Sequence, residues 1–409
     1  MRVLVALEHH FRREPGGCIY AQGAPNYAFW RRYEEVFEEV VVLARVGEGG
    51  EVLAPEARAD GPGVTFWPLP DYLGPWQYLR RLPALKARVR KAVRACDAFI
   101  LYVPGLVARL AWSEIRRLGR PYAVEVGGDP WEVFGPGRVP GLFRPVYRRI
   151  AASNLQKLCQ GASAASYVTR EALQRRYPPG EDTFVTYYSK VELGGAFATP
   201  DGMAKRIQRL RELISNSGRR SRAIRLGFVG SLSQLYKGPD TLLHAASLCL
   251  RKGIELEIQM VGEGRYRAAM EDLAHKLGVD KQACFLGQLP PGQAVYDFLD
   301  KIDLFVMPSR TEGLPRALLE AMACGCPCIG SRVGGIPELL SADDMVPPDD
   351  PEALAAKIAE VASDPERMIQ MAQRNLKNAQ EYRPEVLAAR RRAFYEYVRR
   401  ITSTAKVSR

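Results

Sequence analysis

A lysine and two glutamates in the second half of the chain have the types and spacing to bind an anionic ligand that carries hydroxyl groups. Lys237 lies just before a helix and after a strand that ends in small residues, Gly227–Ser231. Backbone N–H groups and the helix dipole at such a turn favour an anion, and the lysine adds a full positive charge. Glycine at a strand end also serves turn geometry alone, so this segment leaves both phosphate binding and a plain turn open.

Glu312 and Glu320 lie eight positions apart at the start of another helix. Pro315 suits the first turn of that helix, and Glu320 stands between the apolar runs 317–319 and 321–323. A carboxylate on a buried helix needs a hydrogen-bonding partner, and the hydroxyl groups of a ligand would satisfy both acids. The alternative makes Glu312 a partner of the helix dipole and Glu320 a surface carboxylate.

Short apolar runs that alternate with helical patterns would position these residues. Runs separated by helical stretches predict parallel strands with crossover helices, hence an α/β protein with two doubly wound sheets. A third glycine-rich turn at Gly330–Glu338 would share the carboxyl edge of the second sheet. The predicted strands are Arg2–Leu7, Val40–Ala44, Val64–Trp67, Ala98–Tyr102, Tyr122–Val126, Ala164–Val168, Arg225–Val229, Glu255–Val261, Ala283–Leu286, Leu304–Met307 and Cys326–Ile329.

A basic, Ser- and Gly-containing stretch between the two halves predicts the domain boundary. We expect an N-terminal Rossmann-like domain at 1–195, a linker at 196–222 and a second domain of the same type at 223–380. The helix at 381–409 is predicted to pack back on the N-terminal domain.

The charge balance, 58 basic against 46 acidic residues, gives a net charge of +12 and admits anionic lipid or phosphorylated small molecules as partners. The basic residues lack interleaved aromatic residues, which disfavours nucleic acid. No apolar run approaches the roughly 20 residues of a spanning helix, and the first strand is too short for a signal-peptide core, so we expect a cytoplasmic protein.

The segment Trp76–Arg94 predicts a basic amphipathic helix. Its apolar residues recur at helical spacing, and it contains no acidic residue. A crossover helix packed on the sheet explains this pattern, and so does peripheral contact with an anionic membrane at the inner face of the cell membrane. Both can hold, because the basic residues are free to do either.

Several short motifs follow one another in the second half of the chain, over residues 224–341: Lys237-Gly238, Val261–Gly264, Phe285–Gly287, Pro308-Ser309, the Glu312 to Glu320 pair and Gly334–Glu338. In their order and spacing, the second half resembles the family 4 retaining glycosyltransferases, which have the two-domain GT-B fold, whereas the first half matches only loosely. The resemblance implies two Rossmann-like parallel-sheet domains facing a central cleft, with an acceptor-side domain at 1–195 and a nucleotide-sugar-binding domain at 223–380.

The resemblance implies roles for individual residues. Lys237 would hold the donor diphosphate, Glu312 the hydroxyls of the donor sugar and Glu320 the ribose. Backbone amides at Gly313 and Leu314 would lie against the sugar and the pyrophosphate. A glycine-rich loop of the first domain, either Gly16-Gly17 or the loop at Gly23, would cover the diphosphate. The other donor-binding positions are Gly230, Ser231, Gly262, Gly264, Gly287 and Leu289, with the base near the last two.

Two positions depart from the family pattern. Ser231 stands where the family has an arginine six residues before the lysine, and Arg225 or Arg332 is the substitute in space. The family histidine after the strand Tyr122–Val126 is also missing, and Asp129 is our candidate for a catalytic role near the donor sugar. Asp129 alternatively caps the turn that follows it.

The implied activity is retaining transfer of a hexose-type sugar from a UDP- or GDP-sugar to a glycan or lipid-linked acceptor, in surface polysaccharide or glycolipid biosynthesis. The nucleotide sugar is a co-substrate, and neither a cofactor nor a metal ion is implied; no Asp-x-Asp motif lies near these loops. The alternatives are a nucleotide-sugar epimerase of the same architecture and a non-catalytic GT-B scaffold or partner subunit, which the missing arginine and histidine favour.

Overall fold

The computed structural model describes residues 1–21, 25–49, 54–133, 144–189, 191, 193–214 and 222–407. These residues form two compact units, one comprising Met1–Tyr188 with Ala388–Arg409 and the other Ser189–Leu387. The strands are β1 Arg2–Arg13, β2 Ile19–Ala21, β3 Glu39–Glu48, β4 Val64–Pro70, β5 Ala98–Val103, β6 Ala123–Val126, β7 Ala164–Tyr167, β8 Phe184–Tyr187, β9 Ile224–Val229, β10 Leu256–Val261, β11 Ala283–Gly287, β12 Leu304–Met307, β13 Cys328–Ser331 and β14 Met345–Val346.

The helices follow the strands in alternation, as the pattern predicts. Several helices have an N-cap side chain: Asn26, Asp350 and Asp364 accept hydrogen bonds from backbone N–H groups in the first turns of α1, α12 and α13. The helices are α1 Tyr27–Glu34, α2 Gly74–Ala95, α3 Leu106–Arg117, α4 Pro130–Val133, α5 Arg144–Gln160, α6 Ala172–Arg176, α7 Pro200–Arg211, α8 Pro239–Arg251, α9 Arg267–Lys276, α10 Gln293–Lys301, α11 Arg316–Ala323, α12 Pro351–Ala362, α13 Pro365–Ala379 and α14 Pro384–Val407.

The sheet of the first unit is parallel, in the order β4-β3-β1-β5-β6-β7-β8, and β2 pairs antiparallel with the end of β1. Strand β1 therefore runs to Arg13 rather than ending at Leu7, because Phe11–Arg13 pairs with β2. One core cluster contains buried residues of α2, α3 and α5, so these three helices cover the same face of the sheet.

The C-terminal residues of the first unit fill the other side of its core. Tyr395 of α14 stacks on Tyr33 of α1 with ring centroids 4.5 Å apart. The hydroxyl groups of both donate to Glu125 on β6, which is 4% exposed. This buried carboxylate is thus satisfied by side-chain donors, as burial of a charge requires.

The second unit contains a parallel sheet in the order β11-β10-β9-β12-β13-β14. Its interior strands β12 and β13 are buried on both faces, and helices supply the covering layers. The predicted linker 196–222 differs from this picture, because it contains α7, which packs against α13. Arg206 of α7 is 3% exposed and donates to the carbonyl oxygen of Ile302 at 3.0 Å. This helix is therefore an integral part of the second unit.

Candidate functional site

The strand order of the second sheet reverses between β9 and β12. Chain connections run outward from β9 to β11 on one side and from β12 to β14 on the other. The carboxyl ends of the two central strands therefore diverge into loops on opposite sides, and open α/β sheets bind ligands at such a point. Lys237 lies in the loop after β9, and Glu312 lies in the loop after β12.

Lys237 and Glu312 form an ion pair at this switch point. The Nζ atom of Lys237 lies 2.6 Å from Oε1 of Glu312, which also accepts a hydrogen bond of 2.8 Å from the hydroxyl of Ser309. The side chains are 14% and 7% exposed, so the pair is largely shielded from water. A charged pair in these surroundings interacts more strongly than one at the surface. Both residues were singled out from the sequence, but the hydrogen bond from Ser309 to Glu312 was not predicted.

Two glycines allow the loops around this pair to touch. Gly238, at φ +71°, directly precedes α8, and a Cβ atom there would lie 2.1 Å from the carbonyl oxygen of Pro308. Gly334, at φ +53°, lies against Glu312 so closely that a Cβ atom would lie 1.9 Å from its carbonyl oxygen. The N–H of Gly335 also donates to the carbonyl of Gly313 at 2.8 Å. Only glycine combines such backbone angles with such approaches.

The turns after β9, β10 and β11 also meet at this edge of the sheet. A Cβ atom on Gly262 would lie 1.9 Å from the carbonyl oxygen of Gly230, and one on Gly264 would lie 2.0 Å from the N atom of Ser233. The N–H of Gly262 donates to the carbonyl of Gly287 at 2.8 Å. Leu289 follows in the same loop and is half-buried. The structure thus brings the predicted donor-binding glycines of the second unit onto one edge.

Glu320 finds its partner within its own helix. It is 4% exposed, and Arg316, one turn earlier on α11, donates from Nε to its Oε1 at 2.8 Å. The sequence analysis predicted ligand hydroxyls as partners of this acid and did not consider the i,i+4 pair with Arg316, although that spacing is visible in the sequence. Burial raises the pKa of Tyr296 on the neighbouring helix α10, and the charge of Glu320 raises it further.

The two arginines considered as substitutes at Ser231 lie at opposite edges of the sheet. Arg225 is near the amino end of β9, where it lies 3.7 Å from Glu257, so it is remote from the carboxyl-edge loops. Arg332 follows β13 at the carboxyl edge and is exposed. Ser231 itself accepts a hydrogen bond from the N–H of Ser233 at 3.2 Å. The position of Arg225 excludes it as a substitute for the family arginine, and Arg332 remains the candidate for that role.

The glycine-rich loops of the first domain are described in part. Gly16 and Gly17 form the turn between β1 and β2, where Gly17 has φ +85° and donates to the carbonyl of Glu14 at 2.9 Å. Open space surrounds both glycines. Gly23 lies outside the described residues.

Asp129 is held by the residues around it. Its Oδ1 accepts from the N–H of Trp131 at 2.9 Å and from the hydroxyl of Tyr177 at 2.6 Å, and Arg176 binds its Oδ2. The side chain is 9% exposed. The contact with Trp131 is the capping interaction weighed as the alternative for this residue. Its partners occupy both carboxylate oxygens, so the geometry favours the structural role over contact with a sugar.

A polar cluster surrounds Glu8 and His10 in the second half of β1, and the ion pairs within it were not predicted from the sequence. The carboxylate of Glu8 accepts from the hydroxyl of Tyr72 at 2.8 Å and from the N–H of Val107 at 2.9 Å, and it lies 3.0 Å from Arg45. Nδ1 of His10 lies 2.9 Å from the carboxylate of Asp71. The available signal was Glu8 and His10 directly after the apolar run Val3–Leu7.

Neither a metal cluster nor a membrane span is found in the part of the chain that the structure describes. No three His, Cys, Asp or Glu side chains are grouped there so as to hold a metal ion. Among the described helices, none combines the length and the apolarity needed to cross a bilayer.

The match to a known family lies in the second half of the chain. Residues 211–380 match the glycosyl transferases group 1 family model. The chain is 24% identical over 328 residues to protein CapJ of Staphylococcus aureus, covering 80% of this chain and 78% of that protein. It is 30% identical over 202 residues to a D-inositol 3-phosphate glycosyltransferase of Corynebacterium urealyticum, covering 46% of this chain and 47% of that protein. The chain thus spans less than half the length of this second relative.

Solved structures share the fold over the whole chain. Sucrose-phosphate synthase from Thermosynechococcus elongatus superposes with a TM-score of 0.67 at 16% identity, covering 98% of this chain and 99% of that one. HepE from Anabaena in complex with UDP and glucose gives a TM-score of 0.60 at 17% identity, covering 100% of both chains. The fold is therefore GT-B, which confirms the predicted fold class. Together, the family model and the inositol 3-phosphate glycosyltransferase support the assignment of this chain as a glycosyltransferase.

Proposed function

We propose that this chain is a family 4 retaining glycosyltransferase that takes a hexose-type sugar from a UDP- or GDP-sugar. The observation that carries the proposal is the Lys237–Glu312 ion pair at the switch point of the second sheet, 2.6 Å between Nζ and Oε1. It offers a cation for phosphate and an acceptor for sugar hydroxyls within one hydrogen-bond length of each other.

The residues at this point suit a nucleotide diphosphate sugar. Lys237 binds the diphosphate, while hydroxyl groups of the sugar donate to Glu312. Gly313 and Leu314 stand just before the N-terminus of α11, where the positive end of the helix dipole favours an anion, and their N–H groups would lie against the sugar and the diphosphate. Glu320 receives the ribose hydroxyls, sharing its carboxylate between them and Arg316.

The proposed reaction breaks the bond between the anomeric carbon and the phosphate oxygen and forms one from that carbon to an acceptor oxygen. The bonding pair leaves with the nucleoside diphosphate, so negative charge develops on the phosphate. Lys237 and the amides stabilise that charge in the transition state. The acceptor enters on the face from which the diphosphate leaves, and its hydroxyl proton passes to a phosphate oxygen. This sequence needs neither a metal ion nor a side-chain base.

The proposed acceptor of the sugar is a glycan or a lipid-linked molecule in surface polysaccharide or glycolipid biosynthesis. Leu73, Trp76 and Leu79 at the start of α2 are 69%, 83% and 55% exposed, whereas Leu85 and Val89 further along are buried. The second part of the helix thus packs as a crossover helix, and the first part presents apolar side chains beside exposed Arg80. An apolar tip with flanking cations favours peripheral contact with the anionic inner face of a cell membrane.

Incubation with a panel of UDP- and GDP-sugars tests the proposal. We expect hydrolysis or transfer of one donor, with release of the nucleoside diphosphate, and NMR of the product should show the anomeric configuration of the donor. Inverted product would contradict retention. Epimerised donor would identify an epimerase, and tight binding of every donor without turnover would identify a non-catalytic relative.

A further inference from the structure

Arg310 joins the loop that carries Glu312 to the loop that carries Lys237. Its guanidinium donates from Nη1 and Nη2 to the two carboxylate oxygens of Asp240 at 2.9 and 2.8 Å, and from Nη1 to the carbonyl of Leu235 at 2.6 Å. Its backbone N–H donates to the carbonyl of Tyr236 at 2.7 Å. Leu235 and Asp240 bracket Lys237, so both ends of the lysine turn are fastened to one residue. A bidentate arginine–carboxylate pair fixes orientation as well as distance.

A third loop completes this arrangement. Oδ1 of Asp349, which follows β14, accepts from Nε and Nη2 of Arg310 at 3.0 and 2.6 Å. Among the described residues, Asp349 is the non-glycine residue with positive φ, at +60°. Such a backbone persists when surrounding contacts hold it, and the double hydrogen bond to Arg310 is such a contact.

Arg310 is unsuited to bind phosphate itself. The N–H groups of its guanidinium already donate to two carboxylates and a carbonyl, and the hydrogen bond to Asp240 raises the pKa of Arg310. It therefore differs from Lys237, whose carboxylate partner among the described residues is Glu312 of the candidate site. The guanidinium of Arg310 therefore holds loops together rather than binding a ligand.

We propose that Arg310 is the positioning residue of the donor site, and that it acts by holding the Lys237 turn at the distance from Glu312 at which a diphosphate binds. This inference rests on the proposed function, because it assigns Arg310 a role in binding the donor that Lys237 recognises. Loss of Arg310 leaves the lysine present but releases its turn from the loops after β12 and β14.

The test measures binding of UDP and of GDP by calorimetry, each beside its nucleoside, in four proteins: wild type, Arg310→Met, Lys237→Met and the double variant. For whichever diphosphate the wild type binds, we expect Arg310→Met to weaken binding about tenfold and leave nucleoside binding unchanged. In the Lys237→Met background, Arg310→Met should have no further effect, because the residue it positions is gone. Arg310→Lys keeps the charge but loses the fork and should be intermediate.

Arg374→Met is the matched control. Arg374 on α13 pairs with the buried carboxylate of Asp344 in the same unit, so its loss lowers stability away from the lysine turn. We expect it to lower the melting temperature and leave diphosphate affinity unchanged. A turnover assay should show the same split, with donor KM raised and acceptor KM unchanged in Arg310→Met only.

Two results would overturn the inference while leaving the proposed function standing. One is wild-type UDP or GDP affinity in Arg310→Met. The other is an equal loss on top of Lys237→Met, which would show a general effect on the fold. If the wild type binds neither diphosphate, the proposed function fails and the inference fails with it.

Discussion

Lys237 and Glu312 meet at 2.6 Å although 75 positions separate them, because they follow the two strands between which the sheet order reverses. The ion pair is therefore a product of chain topology rather than of local sequence. A ligand that binds there encounters both charges at once. Sugar hydroxyls and phosphate suit that combination, since one part of the ligand donates hydrogen bonds and the other is an anion.

The close approach of Gly334 to Glu312 predicts that alanine destabilises the protein at Gly334 but not at Gly313. Gly334→Ala places a Cβ atom 1.9 Å from a backbone oxygen at φ +53°, so the free energy of unfolding should fall by about 2 kcal/mol or more. Gly313→Ala meets open space and should change stability by no more than about 0.5 kcal/mol. Thermal and urea unfolding measure both effects.

Turnover separates the same two variants in a second way. Because the donor is proposed to lie against the amide of Gly313, the stable Gly313→Ala variant should lose donor turnover by about tenfold or more. Full turnover in that variant would remove Gly313 from the donor site. An unaltered melting temperature in Gly334→Ala would contradict the contact with Glu312.

Glu320 predicts a preference for ribose over deoxyribose. Hydrogen bonds to a charged acceptor contribute about 1.5–3 kcal/mol, so the wild type should bind the nucleoside diphosphate at least about tenfold more tightly than its 2′-deoxy form. Glu320→Gln should lose most of that preference, and Arg316→Met, which keeps the carboxylate, should retain it. An undiminished preference in Glu320→Gln would place the ribose elsewhere.

The exposed start of α2 predicts binding to anionic vesicles. The wild type should float with phosphatidylglycerol vesicles but not with phosphatidylcholine, and less so as salt rises. Trp76→Ser with Leu79→Ser should reduce the bound fraction about tenfold or more, since burial of one large apolar side chain contributes about 1.5–3 kcal/mol. Val185→Ser, a change at a 43% exposed residue on β8, is the control and should bind as wild type. Equal flotation of all three proteins would remove α2 as the contact.

Most of the fold was predictable because strands covered on both faces read as continuous apolar runs. Leu304–Met307 was predicted with the bounds that the structure has. The strands that were missed are short and pair at an end or an edge of a sheet: β2, β8 and β14. Phe184–Tyr187 of β8, for example, is only half-buried and lacks the apolar run that marks the central strands.

The residues of the candidate site could be singled out from the sequence, whereas most of their contacts could not. The sequence indicated Lys237, Glu312 and Glu320, but the partners of Asp129 are Arg176 and Tyr177, far along the chain, and only the packing of α6 brings them close. The contacts of Arg310 likewise join loops after three strands, β9, β12 and β14. These loops lie together only because of the order of the strands in the sheet, which the sequence does not state. Long-range pairs of this kind carry no local periodicity.

The most direct test of the account is the loss of donor turnover in two single variants, Lys237→Met and Glu312→Gln, measured with the sugar nucleotide that the wild type uses. Glu312→Gln keeps the hydrogen bond from Ser309 and removes the charge that pairs with Lys237. The account predicts a fall in kcat/KM of about a hundredfold or more in each, with circular dichroism unchanged. Near-normal turnover in either folded variant would contradict the assignment of this ion pair as the centre of the site.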